Sequence, residues 1–342
     1  MRRYLPLLMS FFLTILAFSV TTFLAGYAGR QPEQEIKNVN LYTTLPVEQI
    51  AVLAEEYGRT MNVKVNVTPL TERELLQRLQ GDGQFQADVI ITNRFIVKQA
   101  RKYNLLESYA SEQLDIIPSR FRDSESYWTG IWYDPVIFAV NQDYIKNNGR
   151  VPLKWSELYQ NDKLRLAITD FLAAEASANL LYSLVSVQGE EQTLAYLKKI
   201  HPQIVQYSKF LVTPARMVSL GEVHLGITVQ SEAKRYVNDG FPVKIFYPEE
   251  GTSYILTAAA LVKGSPHNIE AKAFIEWLTQ DRAQEVLIKN KFYFIPTNPE
   301  TVTYQEYSEK NIKLIDYNDA LSNEQQQKLL DKWVQTVRLG LK

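Results

Sequence analysis

Residues 39–92 read VNLYTTLPVEQIAVLAEEYGRTMNVKVNVTPLTERELLQRLQGDGQFQADVIIT, and they decide the fold. VNLYT (Val39 to Thr43) and VKVNV (Val63 to Val67) are short and rich in branched residues, and VKVNV alternates strictly, so both read as strands. ADVIIT (Ala87 to Thr92) is a continuous apolar run, the mark of a strand covered on both faces. Between them, Val47, Ile50, Val52, Leu53 and Tyr57 recur near helical spacing. Thr71 and Glu74 form a capping box ahead of a second helix, LLQRL. The β-α-β-α-β order predicts a parallel α/β sheet covered by helices. Short branched strands argue against an all-helical chain.

In such sheets ligands sit beyond the carboxyl ends of the strands. That places Thr43, Thr44 and Asn93 at a candidate site, since they follow the first and third strands. Thr43 and Thr44 precede a helix N-terminus, which favours an anion. The competing reading is that Thr44 only caps its helix.

The remainder continues the α/β pattern. VIFAVN ends an apolar strand at Asn141, and after it RLAITD, HLGITV and PVKIFY read as strands between helices. Ser322 and Gln325 box the start of the last helix.

Composition narrows the function. The chain has 342 residues, a net charge of -1, 46% hydrophobic residues and no cysteine. That length suggests about two domains. The near-zero charge and the absence of a Lys/Arg cluster exclude a nucleic-acid footprint. No disulfide framework and no lipid-modified cysteine are possible. The segment MRRYLPLLMSFFLTILAFSVTTFLAGYAG has two arginines, an apolar run and small residues in the order of a secretory signal. Residues 1–28 are therefore expected to be a signal peptide cut after Ala28 or an uncleaved membrane anchor. Either case places the rest of the chain outside the cytoplasmic membrane.

Nucleophile elbows, zinc-binding H-E-x-x-H, phosphate loops and dinucleotide fingerprints are missing. His201, His224 and His267 lack metal-ligand spacing. The expectation is a chain with no catalytic residues, no cofactor and no bound metal.

YWTGIWYDPVIFAVN (Tyr127 to Asn141) introduces a resemblance. With Trp128, Gly130 and Asn141 in frame, it resembles the bacterial ABC-transporter substrate-binding proteins of the ferric-iron and phosphonate type. PLKWSELYQNDKLRLAITD and TPARMVSLGEVHLGITV continue the likeness in order. YPEEGTSYILTAAALVKGSPHNIEAKAFIEWLTQDRAQEVL follows the family pattern most closely. The resemblance covers about residues 38–300 and implies the type II periplasmic binding protein fold, two α/β lobes joined by a two-strand hinge. It implies lobe 1 at 36–140 and 251–342, lobe 2 at 141–250, and hinge closure around a small-molecule solute. It also implies a monomer that docks on a membrane permease.

Such proteins bind ferric iron, phosphonates, sugar phosphates, thiamine-like cations or polyamines. Ferric members grip iron with an adjacent tyrosine pair, and here that region reads TVQSEAKRY, with Gln230 and Ser231 instead. A small organic anion, phosphorylated ones included, fits the hydroxyls at helix starts better: Thr43, Thr44, Ser177, Thr213 and Ser231. Arg216, in the first turn of its expected helix, would either hold such an anion bidentately or form a surface salt bridge. Trp132 and Tyr133 would either stack on it or pack the hinge. In FYPEEGTSY (Phe246 to Tyr254), Pro248 and Gly251 break the strand where the chain crosses back between lobes, which puts Glu250, Thr252 and Tyr254 at the solute. Two alternatives stay open: a ferric-iron-binding transport protein of the same fold, and a ligand-sensing subunit for a membrane sensor kinase.

Overall fold

The computed structural model describes residues 37–81, 87–316 and 321–340. The expected signal or anchor segment lies outside the described residues.

The opening pattern folds as read. β1 (Lys37–Thr43), α1 (Val47–Met61), β2 (Val63–Pro69), α2 (Glu72–Gln80) and β3 (Val89–Asn93) follow in order. β1 and β3 pair in parallel, Leu41 opposite Val89 and Thr43 opposite Ile91. α1 starts at Val47, and no side chain caps it. Thr44 therefore does not cap it. Its hydroxyl instead shares a 2.6 Å hydrogen bond with that of Thr92. The capping box at Thr71 and Glu74 is present.

After α3 (Arg94–Lys102) and the two-residue β4 (Leu106–Glu107) comes the strand on which the fold turns, β5 (Thr129–Asn141), buried along its whole length. α4 (Gln142–Asn148), β6 (Leu166–Thr169), α5 (Glu175–Gln188), α6 (Glu190–Ile200), β7 (Ile204–Ser208), α7 (Val212–Ser219), β8 (Leu225–Val229), α8 (Gln230–Asn238) and β9 (Val243–Phe246) follow. β10 (Tyr254–Val262) returns to β3. α9 (Asn268–Leu278), α10 (Asp281–Lys289), β11 (Ile295–Pro296), α11 (Val302–Ser308) and α12 (Asn323–Trp333) complete the chain.

The strand order is β2-β1-β3-β10-β5-β8-β6-β7, with β9 and β11 also on β5 and β4 on β10. The first half of β5 lies antiparallel to β10, with Tyr133 opposite Leu256. Its second half lies antiparallel to β8 and β9, with Phe138 opposite both Ile227 and Phe246. One strand thus serves two hydrophobic cores. Ile131, Trp132 and Tyr133 belong to the first, with Leu41, Ile90 and Phe274. Beyond Pro135 successive side chains point to opposite faces. Val136, Phe138 and Val140 enter the second core with Leu166 and Ile227, while Ile137 and Ala139 enter a smaller cluster under α7 and α8.

The chain crosses back through Tyr247–Ser253. Gly251 has φ +111°, and a Cβ there would meet Ile315 at 2.9 Å. Only glycine fits this bend without strain.

The last helix differs from the expected division, which gave residues 251–342 to the first lobe. Leu329, Leu330 and Trp333 pack in the second core, with Trp333 against Phe171 and Tyr207. Its apolar stripe carries no sign of which core it will cover.

Candidate functional site

Asn93 ends β3 and its carbonyl oxygen Oδ1 accepts from the Ile96 amide, capping α3. Its two amide hydrogens are also used. Nδ2 donates to Glu72 Oε1 at 2.7 Å and to Glu175 Oε2 at 3.0 Å. Glu72 opens α2, over the first core, and Glu175 opens α5, whose apolar residues fill the second. One amide therefore bridges carboxylates from the two halves of the fold. Burial pushes the Glu175 carboxyl up to about 7, and the Glu72 charge adds to this, against the pull of Asn93, Asn179 and Arg94.

Asp134, on β5, is the second buried carboxylate of this seam. It accepts from the Ser231 amide at 3.0 Å and the Ser231 hydroxyl at 2.6 Å. A carboxylate at the first turn of α8 complements the helix dipole. Burial nevertheless pushes Asp134 up to about 7, opposed by the Ser231 hydrogen bonds.

The positive charge at the seam comes from Arg94 and Arg120. Arg94 is the first residue of α3. Its Nη1 donates to the Tyr254 hydroxyl at 3.0 Å, and its guanidinium lies 5.2 Å from the centre of that ring. Tyr254 packs edge-on against Phe121 and Tyr133, which stack on each other. Asp316 completes the group: it accepts from the Tyr254 hydroxyl and from Arg120 Nη2 at 2.8 Å, and lies 3.5 Å from Arg94 Nη1. Half-burial works against the Asp316 charge, but the Tyr254 hydroxyl and the two guanidiniums outweigh it and hold the carboxyl below its ordinary value. Two guanidiniums and a phenol converging on one carboxylate form an anion receptor already filled by the chain's own side chain.

The candidate residues divide on these contacts. Asn93, Tyr133 and Tyr254 lie at or beside this group. Thr43 is fully buried and donates to Ile91 O. Trp132 stacks on Phe294 inside the first core. Ser177 turns its hydroxyl to the carbonyls of Asp170 and Ala174, each at 2.8 Å. Gln230 takes a hydrogen bond from Tyr247 and gives one to Tyr293 O. Thr252 donates to Val136 O at 2.8 Å. Thr213 is buried in α7, which begins at Val212, so Arg216 is the fifth residue of that helix and exposed. Glu250 accepts from the Trp155 amide at 2.5 Å and the Ser156 hydroxyl at 2.7 Å. It lines a separate cavity of about 370 Å³ with Tyr159, Tyr196 and Lys199. Local pairing thus absorbs most of the hydroxyls that the sequence offers as anion donors.

Arg94, Arg120, Glu72 and Asp316 escape the sequence reading. Arg94 had a signal, since it follows the strand-end residue Asn93 and opens a helix. Asp316 had none: it arrives through the segment that pairs Leu314 with Thr252.

Among the described residues, no three His, Cys, Asp or Glu side chains cluster as a metal site.

Residues 86–323 match the family model described as bacterial extracellular solute-binding protein. An uncharacterized protein of Haemophilus influenzae is 29% identical over 267 residues, 75% of this chain and 77% of that one. Iron uptake protein A1 of Synechocystis is 24% identical over 326 residues, 87% of this chain and 90% of that one. Among solved structures, the periplasmic binding protein AfuA from Actinobacillus pleuropneumoniae, with fructose-6-phosphate bound, superposes with a TM-score of 0.67 at 24% identity, covering 89% of this chain and 99% of that one. Iron-bound HitA from Pseudomonas aeruginosa gives 0.70 at 16% identity, covering 87% and 99%. The fold is that of the periplasmic binding proteins.

Proposed function

Because this chain belongs to the family of bacterial extracellular solute-binding proteins, we propose that it is the extracytoplasmic receptor of an ABC importer and that its solute is a small organic anion. The observation that carries this reading is the convergence of Arg94, Arg120 and the Tyr254 hydroxyl on the carboxylate of Asp316. A carboxylate or phosphate on the solute has the charge and the acceptor oxygens to replace it. Phe121, Tyr133 and Tyr254 offer an aromatic wall beside it. Across the seam Asn93, Glu72 and Glu175 match the hydroxyls of a polyol body, and a carboxyl held near 7 both donates and accepts around neutral pH. Closure brings α5 down on the end of β3, and the bound form docks on a membrane permease.

A second reading, ferric iron, is favoured by the names of two relatives, iron uptake protein A1 and an Fe(3+)-binding periplasmic protein of Serratia marcescens that is 23% identical. Against it stand Gln230 and Ser231 where the ferric members' tyrosine pair is expected, with both side chains already engaged in the protein.

Native mass spectrometry of the exported protein separates the two. A co-purified carboxylate or phosphate ester supports the anion reading. Iron with a small synergistic anion, and a visible tyrosinate band on ferric titration, overturns it.

A further inference from the structure

A groove of about 780 Å³ lies apart from the seam, between α4, α8 and β9 on one side and the end of α11 on the other. Every charged residue lining it is a lysine: Lys146, Lys234, Lys244 and Lys310. Lys146 has a partner, Asp143, at 3.0 Å. Among the described residues no carboxylate lies within ion-pair distance of the other three. Lys310 is held below its ordinary value by burial and by the charge of Lys234, against the pull of Glu306. Two ammonium groups from different elements therefore face the same space.

Apart from Gln142, the rest of the lining is apolar or aromatic. Lys310 sits 4.5 Å from the centre of the Tyr307 ring, and Lys244 5.5 Å from that of Phe246. Val237 and Ile245 line it as well. Lys146, Lys244 and Lys310 are exposed and Lys234 is half-buried, and like charges gathered beside aromatic faces repel one another unless an anion with an apolar body joins them.

We propose that this groove is a second anion site, for an organic anion that carries two or more negative groups on a flat apolar body. Lysines act here as point charges and set no single head-group geometry. The groove joins both halves of the fold, because Tyr307 packs with the first core, whereas β9 pairs with the second half of β5. It also touches the seam through Tyr247, whose hydroxyl donates to Gln230, the first residue of α8. An anion seated there bridges the two halves and biases their closure, an effector rather than a cargo.

Isothermal titration with benzene-1,3,5-tricarboxylate tests the proposal on the full chain. Saturable binding to the wild type is expected, weakened about tenfold in a Lys234→Gln/Lys310→Gln double variant. Both titrations are repeated in an Arg94→Gln background, which disables the seam site, so that heat from anion bound at the seam is not counted as binding in the groove. Inorganic phosphate is expected to bind far more weakly than the tricarboxylate. Equal binding by wild type and double variant, absence of saturable heat, or equal affinity for phosphate each overturns the proposal. Circular dichroism of the double variant confirms that it is folded.

Discussion

The amide of Asn93 holds the carboxylate of Glu175 at 3.0 Å, and the two residues open helices that belong to different halves of the fold. Glu72 takes the other hydrogen of the same amide at 2.7 Å. Asn93 thus keeps two carboxylates apart and together at once.

Replacing Asn93 with Ala removes this bridge and a helix cap in one step. Loss of the cap costs about 1 kcal/mol, and two carboxylates left facing each other add to it. The expected outcome is a lower melting temperature and a larger radius of gyration by small-angle X-ray scattering. An unchanged radius would show that the bridge does not hold the halves together.

The buried acids set a pH dependence with a definite sign. Glu175 rises from 4.5 to about 7 in the folded chain and Asp134 from 3.8 to about 7. Between these limits the folded chain holds protons that the unfolded chain has released. Their contribution is fully present below the unfolded values and lost as pH rises through about 7. The melting temperature is therefore expected to fall from pH 5 to pH 8. Glu175→Gln, neutral throughout, is expected to flatten the slope. Thermal scans across the range on both proteins check this.

Asp316 competes with any anion for Arg94, Arg120 and Tyr254. Asp316→Asn is expected to tighten binding of the co-purified anion, and Arg120→Gln to weaken it about tenfold or more. Calorimetry on the two variants reads both directions. Weakening by Asp316→Asn would mean that the carboxylate orients the arginines instead of occupying their site.

Gly251→Ala forces a side chain into the left-handed region at φ +111° and into contact with Ile315 at 2.9 Å. Destabilisation of about 1–3 kcal/mol is expected, measured by urea unfolding. Shortening Ile315 to Ala in the same chain is expected to recover the part due to the clash and leave the backbone strain.

The opening β-α-β-α-β run was legible because period-2 and period-3.6 patterns depend only on neighbours in the chain. The capping box at Thr71 and Glu74 was legible for the same reason, since it closes within one turn. The strand break at Gly251 could be read from proline and glycine, residues whose backbone limits travel with them, whereas its place at a crossing between lobes was implied by the family resemblance. Ser177, Thr252 and Gln230 were misleading guides to a free site. A hydroxyl or amide is the same in sequence whether it faces solute or a carbonyl, and here the carbonyls of Asp170, Ala174, Val136 and Tyr293 are among the partners that take them.

By itself, the sequence determined the α/β class, the order of strands and helices, and the strand break at Gly251. All of these follow from local periodicity and backbone preference. Only the tertiary structure decided that Asn93 bridges Glu72 and Glu175 and that Asp316 fills the space between Arg94 and Arg120. It also decided that the last helix covers the second core. Those contacts join residues up to 222 positions apart, and which distant polar groups satisfy one another depends on packing that no short pattern encodes.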